Sequence, residues 1–157
     1  MKGSNGTTRA ETQFSVFLAN KPRILAQVCQ QLADDKVNIV ALSMMDASEH
    51  GVLRLVVEDP KKARESLTSI NVPIAETTVL VATLPNRPGA MADVVGRLAG
   101  NHISVNYAYC TTGATGGKTT GVFRVSDFKK ASKILDERRP RRKTAATARA
   151  TPRPRRK

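Results

Sequence analysis

The segment Leu84-Pro85-Asn86-Arg87-Pro88-Gly89-Ala90-Met91 decides the fold, because it joins a strand pattern to a helix pattern. A β-branched apolar run precedes it, and apolar residues follow it at the helical spacing i, i+3, i+4 and i+7: Met91, Val94, Val95 and Leu98. Pro88 suits the first helical position, where no backbone N–H is needed. Gly89 has no Cβ, so a ligand can approach the backbone closely. A helix start of this kind suits a carboxylate, and the Asn86 amide ahead of it can both donate and accept hydrogen bonds.

The same segment occurs earlier in the chain, as Leu18-Ala19-Asn20-Lys21-Pro22-Arg23-Ile24-Leu25. At this offset of 66 positions, seven of the sixteen residues between 18 and 33 are identical. Two further segments also repeat: Gly51-Val52-Leu53-Arg54-Leu55 matches Gly121-Val122-Phe123-Arg124-Val125 at an offset of 70, and Asp59-Pro60-Lys61-Lys62-Ala63 matches Asp127-Phe128-Lys129-Lys130-Ala131 at an offset of 68. The chain is therefore an internal duplication, with small insertions in the second copy.

These motifs resemble those of the ACT domain, a small ligand-binding module of amino-acid metabolism. The shared features are the Asn-x-Pro-Gly turn before a helix, the strand entry Lys36-Val37-Asn38-Ile39, and a Gly-x-x-Arg strand followed by Asp-x-x-Lys-Ala. The resemblance covers residues 14–135 and rests on the order of all these motifs, found twice. It implies a stand-alone tandem pair of ACT units.

The resemblance and the hydrophobic periodicity predict an α+β fold of two ferredoxin-like βαββαβ units side by side, with helices on one face of an antiparallel sheet. We expect a flexible segment at residues 1–12, ACT domain 1 at 13–76, ACT domain 2 at 77–137 and a disordered basic tail at 138–157. The first unit should close with a strand at 72–75, and the second should open with one at 78–84. No fourth strand follows Leu135, so the second sheet lacks one or borrows one from elsewhere.

The predicted strand over residues 37–45 is apolar on both sides. Simple alternation places Ile39, Ala41, Ser43 and Met45 on one face, and Val40, Leu42 and Met44 on the other. A sheet with only one covered face would show polar residues on the second. We therefore expect partial burial of the second face by another copy of the protein, and hence a homodimer.

In the ACT family, effectors lie against the turn between the first strand and the first helix, often at an interface between units. The resemblance implies these ligand-binding positions: Asn86, Arg87, Pro88, Gly89, Ala90, Met91 and Ser104 in the second unit, and Asn20, Pro22, Arg23, Ile24, Leu25 and Asn38 in the first. Each set departs from the family, since Ser104 stands where Asn is common and Arg23 where Gly is expected. Arg23 either fills its pocket or pairs with a ligand carboxylate. Alternatively, one or both turns only pack the units together.

The net charge of +13 is concentrated in the tail. Residues 138–157 contain ten basic side chains and no acidic one, so the remaining 137 residues carry only +3. The tail has no apolar periodicity, and we expect it to be disordered. Its role is either solubility or loose binding of nucleic acid or another polyanion through counterion release.

Other chemistry has little support in the sequence. The segment from Gly113 to Lys118 misses the phosphate-loop pattern by one residue, and a strand rather than a helix should follow it. Cys29 and Cys110 make no metal spacing or disulfide framework, and His50 and His102 fall in predicted turns. We therefore expect no catalytic residues, no metal and no cofactor. The N-terminus shows no signal peptide and no apolar run is long enough to span a membrane, so we expect a cytoplasmic protein.

The sequence leaves three functions open. The first is a non-catalytic regulatory sensor that binds an amino acid at the strand-to-helix turns and biases a partner or an oligomeric state. The second is a nucleic-acid-associated protein whose ACT pair only dimerises. The third is a regulatory subunit that lends its ACT units to a separate amino-acid enzyme.

Overall fold

The computed structural model describes residues 8–19, 23–45, 50–112 and 116–137. The predicted tail, residues 1–7 of the predicted flexible segment, and the candidate ligand residues Asn20 and Pro22 lie outside these ranges. The chain forms ten elements in the order β1 (Thr8–Ala19), α1 (Ile24–Asp34), β2 (Ile39–Met45), β3 (His50–Val57), α2 (Pro60–Ser69), β4 (Ile74–Pro85), α3 (Ala90–Gly100), β5 (Val105–Thr112), β6 (Lys118–Val125) and α4 (Phe128–Asp136).

The six strands form one antiparallel sheet in the order β2-β3-β1-β4-β6-β5. This arrangement confirms the α+β fold of two ferredoxin-like units. Each unit packs its own core between its helices and its half of the sheet. The first core contains Phe14, Val16, Val28, Leu32, Leu55 and Leu67, and the second contains Leu80, Leu84, Val94, Leu98, Phe123 and Leu135.

The second helix of each unit begins in the same way. The Asp59 side chain accepts a hydrogen bond from the backbone N–H of Lys62 at 3.1 Å, and the Asp127 side chain accepts one from Lys130 at 2.9 Å. Each aspartate therefore caps its helix by satisfying one of the N–H groups that have no intrahelical acceptor. The repeated Asp-x-x-Lys-Ala motif is thus a repeated helix start.

Two long central strands correct the predicted strand boundaries. The strands expected at 72–75 and 78–84 are one continuous strand, β4, of 12 residues. β1 begins at Thr8, so residues 8–12 are part of the sheet and their prediction as a flexible segment was wrong. These residues pair with β4 from Thr78 to Ala82, which satisfies backbone groups that would otherwise lie on an open sheet edge.

This pairing supplies the strand that the second unit lacks in its own sequence. The first half of β1 lies beside β4 on the side away from β6, where the fourth strand of a ferredoxin-like sheet belongs. Conversely, the first half of β4 completes the first unit. Thr12 lies directly opposite Thr78, its own counterpart at the offset of 66. The duplication therefore has approximate two-fold symmetry about that pair.

Polar contacts with α4 fix the start of the borrowed strand. The backbone N–H of Thr8 donates to Oδ1 of Asp136 at 3.0 Å, and its hydroxyl donates to Oδ2 at 2.8 Å. The same hydroxyl lies 2.8 Å from that of Ser132. Thr8 is buried, so these bonds compensate for the loss of its hydration.

Strand pairing also corrects the alignment of the two repeats. Leu18 pairs with Gly51, and Leu84, the counterpart of Leu18, pairs with Thr119. Thr119 is therefore the counterpart of Gly51, at an offset of 68, so the offset of 70 read from the sequence was wrong in this strand. Gly121 takes the place of Leu53, and the ring of Phe123 fills the space there, because a Cβ on Gly121 would lie 2.7 Å from Cε2 of Phe123.

A β-bulge at Val40 overturns the predicted alternation in β2. Ile39 pairs with Val57 but Ala41 pairs with Val56, so Val40 is the extra residue. Ile39 therefore packs against the first core, whereas Val40 joins Ala41 in a cluster on the second face. Leu42 and Met44 pair with core residues on the helix side but lie at the sheet edge, where they are 44% and 50% exposed.

The chain itself covers part of the second face. The sheet curls until Cα atoms of its two edge strands, β2 and β5, lie within 8 Å of each other. Buried Gln13 then donates to the Tyr107 hydroxyl at 2.8 Å and accepts from the Tyr109 hydroxyl at 3.0 Å. The Arg54 guanidinium lies 4.1 Å from the centre of the Tyr107 ring, a cation–π geometry. A second copy is therefore not needed to cover these residues.

Two deletions test the borrowed strand. Removing residues 1–12 should lower the free energy of unfolding by several kcal/mol, because it removes a row of backbone hydrogen bonds worth about 1 kcal/mol each. Removing residues 138–157 should leave the free energy of unfolding nearly unchanged, since β1 already covers the edge beside β4. Urea denaturation of both variants at equal salt measures the two effects. Equal losses from the two deletions would contradict the strand assignment.

Candidate functional site

The turn between β4 and α3 has the backbone shape that its sequence suggests. β4 ends at Pro85 and α3 begins at Ala90, with Gly89 as the N-cap in the left-handed conformation at φ +82°. Pro88 therefore precedes the N-cap, and its prediction as the first helical residue was wrong. Because Gly89 is left-handed, the helix begins at Ala90, two positions later than predicted. Only glycine adopts that conformation without steric cost.

The start of α3 differs from those of α2 and α4 because no N-cap side chain is available. Gly89 offers no acceptor, so the positive end of the helix dipole faces the turn without a capping aspartate. The Arg87 guanidinium lies above this end, with its Nη2 atom 3.4 Å from Oδ2 of Asp93 in the first helical turn. Arg87 is 58% exposed, so solvent weakens this ion pair and the guanidinium can change partners.

Gly116 and Gly117, which precede β6, support the turn through backbone hydrogen bonds. The backbone N–H of Asn86 donates to the carbonyl of Gly117 at 2.9 Å, and that of Gly116 donates to the carbonyl of Asn86 at 3.3 Å. The strand β6 follows at Lys118, where a phosphate loop would require a helix. Gly116 and Gly117 therefore hold the backbone of Asn86 in place.

A cavity of about 170 Å³ lies beneath the start of α3. The lining residues come from four elements and the turn: Leu84, Pro85, Asn86, Arg87, Ala90, Met91, Cys110 and Thr119. Four predicted ligand residues, Asn86, Arg87, Ala90 and Met91, are thus brought together. Pro88 and Gly89 shape the turn but do not line the cavity. The first turn of α3 forms the roof, and the sheet forms the floor.

Sequence reasoning missed the two polar residues of the floor. Thr119 lies on β6 directly opposite Leu84, and Cys110 lies on β5 opposite Gly121, so both face the helix side of the sheet. Thr119 is only 7% exposed. Partial burial raises the pKa of the Cys110 thiol, which keeps it neutral at physiological pH. Period-2 alternation could have placed both residues on this face, but only the strand register brings them under the turn.

Ser104 and Asn38 are not near the turns of their own units. Ser104 follows the far end of α3, an 11-residue helix that is roughly 16 Å long at 1.5 Å per residue. Its backbone carbonyl accepts a hydrogen bond from Ser126, and the carbonyl of Asn38 accepts one from Glu58 in the equivalent place. Both residues therefore close strand ends, and Ser104 does not line the cavity under α3.

The corresponding turn of the first unit repeats the backbone with different side chains. Arg23 is the N-cap of α1 at φ +89°, nearly the conformation of Gly89. A residue with a Cβ is strained there, so arginine replaces glycine at an energetic cost. Ile24 packs against the first core, whereas Leu25 is exposed. Neither side chain carries a polar group that could bind a ligand.

Two features are absent from the described part of the chain. Its His, Cys, Asp and Glu side chains form no group that could hold a metal ion. None of its helices is long and apolar enough to cross a membrane.

Comparison with known proteins agrees with this architecture. The family model described as "ACT domain pair" matches residues 10–140. A crystal structure of a Bacteroides thetaiotaomicron protein is similar with a TM-score of 0.76 and 33% identity, over 85% of this chain and 90% of that one. None of the curated proteins matches this chain.

Two more distant structures share the fold. The ligand-free regulatory subunit of aspartate kinase from Thermus thermophilus has a TM-score of 0.61 and 12% identity, over 85% of this chain and 97% of that one. The corresponding subunit from Thermus flavus has a TM-score of 0.56 and 14% identity, over 85% of this chain and 94% of that one.

The two left-handed turns allow a matched pair of substitutions. Arg23→Gly should raise the free energy of unfolding by about 0.5–1 kcal/mol, because the relieved strain of 1–2 kcal/mol exceeds the entropy that glycine adds to the unfolded chain. Gly89→Ala should lower it by about 1 kcal/mol for the converse reason. Chemical denaturation measures both. A destabilising Arg23→Gly would show that the Arg23 side chain makes contacts worth more than the strain.

Proposed function

Since the chain belongs to the ACT domain pair family, we propose that it is a non-catalytic regulatory protein that binds an amino acid at the turn before α3. The observation that carries this proposal is the cavity under the start of α3, where the N-cap is a glycine without a capping side chain and Arg87 lies alongside. The cavity combines an apolar interior with a few polar groups at one end, as small-molecule sites commonly do.

The mouth of the cavity is complementary to a zwitterion. The N-terminal end of α3 carries partial positive charge, and Arg87 adds a full one, so a ligand carboxylate would be stabilised between them. Asp93 does not line the cavity, but its carboxylate lies 3.4 Å from that guanidinium, so a ligand carboxylate that takes over Arg87 would leave the Asp93 charge beside the ligand ammonium. Both groups of a free amino acid thus find opposite charge at one end of the site.

The position of the cavity connects binding to the whole pair. Leu84 and Pro85, which line it, end the strand that the two units share. A shift of this strand would be transmitted to both halves of the sheet. We therefore expect ligand binding to bias the conformation or assembly of the pair, which a regulated partner would then recognise.

Gly89→Val tests the binding site. The branched side chain strains the left-handed turn and crowds the approach to the start of α3, so amino-acid affinity should fall at least tenfold. Isothermal calorimetry against the twenty amino acids measures it. Gly96→Ala is the matched control, because that glycine lies inside α3 with nothing within 4 Å of its Cβ position. The control should keep full affinity; equal binding by the Gly89 variant and the parent would place the site elsewhere.

We also propose a homodimer that forms through β2. This edge strand exposes Leu42 and Met44, and an apolar sheet edge favours association. Leu42→Lys should shift the mass measured by light scattering from dimer to monomer. Val95→Lys, on an exposed position of α3, is the control and should remain dimeric. A parent protein that is monomeric at high micromolar concentration would contradict the proposal.

A further inference from the structure

We propose that the cavity under α3 selects an amino acid with a short, uncharged side chain that carries a hydroxyl group, and that Thr119 recognises this hydroxyl. The inference rests on the proposed function, since it names the ligand class of the same site. It depends on three properties of the cavity: its volume, the charge of its lining and the position of Thr119.

The volume limits the length of the ligand side chain. The cavity has a volume of about 170 Å³. This is well below the ~300–1,000 Å³ of pockets for drug-sized ligands. With the carboxylate and ammonium at the mouth, little space remains for a side chain beyond a few heavy atoms.

The lining excludes a charged side chain from the interior. Among the described residues that line the cavity, Arg87 is the one that is ionised, and it lies at the mouth. The lining residues Leu84, Ala90 and Met91 are apolar, and the Cys110 thiol is neutral near pH 7, as an ordinary cysteine is, with partial burial raising its pKa further. A ligand ammonium or carboxylate placed among them would lose its hydration without gaining an opposite charge.

Thr119 provides a hydrogen-bonding group inside this apolar lining. Thr119 is 7% exposed and lines the cavity, and among the described residues its hydroxyl has no protein hydrogen-bond partner and is open to water in the cavity. A threonine hydroxyl both donates and accepts, so it can pair with a ligand hydroxyl in either direction. A ligand of the same shape with a methyl group there would leave the Thr119 hydroxyl unpaired. A site with a buried polar group discriminates against such an isostere.

This arrangement belongs to the second unit only. The counterpart of Thr119 is Gly51, which has no side chain to hydrogen-bond. The counterpart of Cys110 at the offset of 66 is Met44, whose Cε atom lies 3.2 Å from the Cβ position of Gly51. In the first unit, a methionine therefore occupies the space beside the glycine, and the hydroxyl is absent. The strand residues beneath the two turns are thus chemically different, although the two turns have nearly the same backbone conformation.

Calorimetry with L-threonine and L-valine tests the inference, because the two ligands have nearly the same shape and differ in one hydroxyl. The parent protein should bind threonine about tenfold more tightly, the ratio that corresponds to one hydrogen bond. Thr119→Val should reduce this ratio to about one. Thr120→Val is the matched control: the residue is next in β6 but faces the other side of the sheet, so the tenfold ratio should persist.

A third variant keeps the test decisive if Thr119→Val does not fold. Thr119→Ser retains the hydroxyl and should retain the preference for threonine. Equal affinity of the parent for threonine and valine, an unchanged ratio in Thr119→Val, or tighter binding of lysine or phenylalanine would overturn the inference while leaving amino-acid binding intact. Failure of all twenty amino acids to bind would instead refute the proposed function.

Discussion

The antiparallel pairing of β1 with β4 is the constraint on which the rest of the structure depends. Because Thr12 lies opposite its own counterpart Thr78, each strand opens one unit and closes the other. Neither unit has a complete sheet without the other, so the pair is the folding unit. The pairing also fixes the site, since β4 leads directly into the turn before α3. Thr8, Leu84, Pro85 and Asp136 line one groove. The hydrogen bonds from Thr8 to Asp136, which hold the start of β1, therefore lie beside the end of β4.

Much of this fold can be predicted from the sequence, because local signals mark its elements. The duplication, the turn segments and the two capping aspartates were all visible as repeated residues. Features set by pairing between distant strands were not visible in the sequence. Residues 8–12 show no apolar pattern, yet β4 needs a partner there. In the strand that follows the first hairpin of each unit, aligning the two repeats at an offset of 70 gave more identical residues than at 68. A slip of two residues leaves every side chain on its correct face, so periodicity could not reveal the error.

The candidate site also combines residues that local sequence signals reveal with residues that only strand pairing brings in. Asn86, Arg87, Ala90 and Met91 are consecutive or nearly so, and a turn motif brings them together. Thr119 and Cys110 reach the site only through the register of β4, β6 and β5, which sequence periodicity does not determine. The bulge at Val40 was missed for a related reason, since a single extra residue reverses the alternation without a glycine or proline to mark it. Ser104 was assigned from the resemblance and lies at the far end of α3.

The central claim is that an amino acid binds under the start of α3 in the second unit. Titration of uniformly ¹⁵N-labelled protein with L-threonine, followed by two-dimensional NMR, tests it most directly. We expect the largest amide shifts at Gly89, the N-cap of α3, and at Ala90, Met91 and Thr119, which line the cavity. Shifts confined to the cleft between α1 and α2, lined by Gln31, Asp35 and Lys62, would contradict it. So would the absence of shifts with all twenty amino acids.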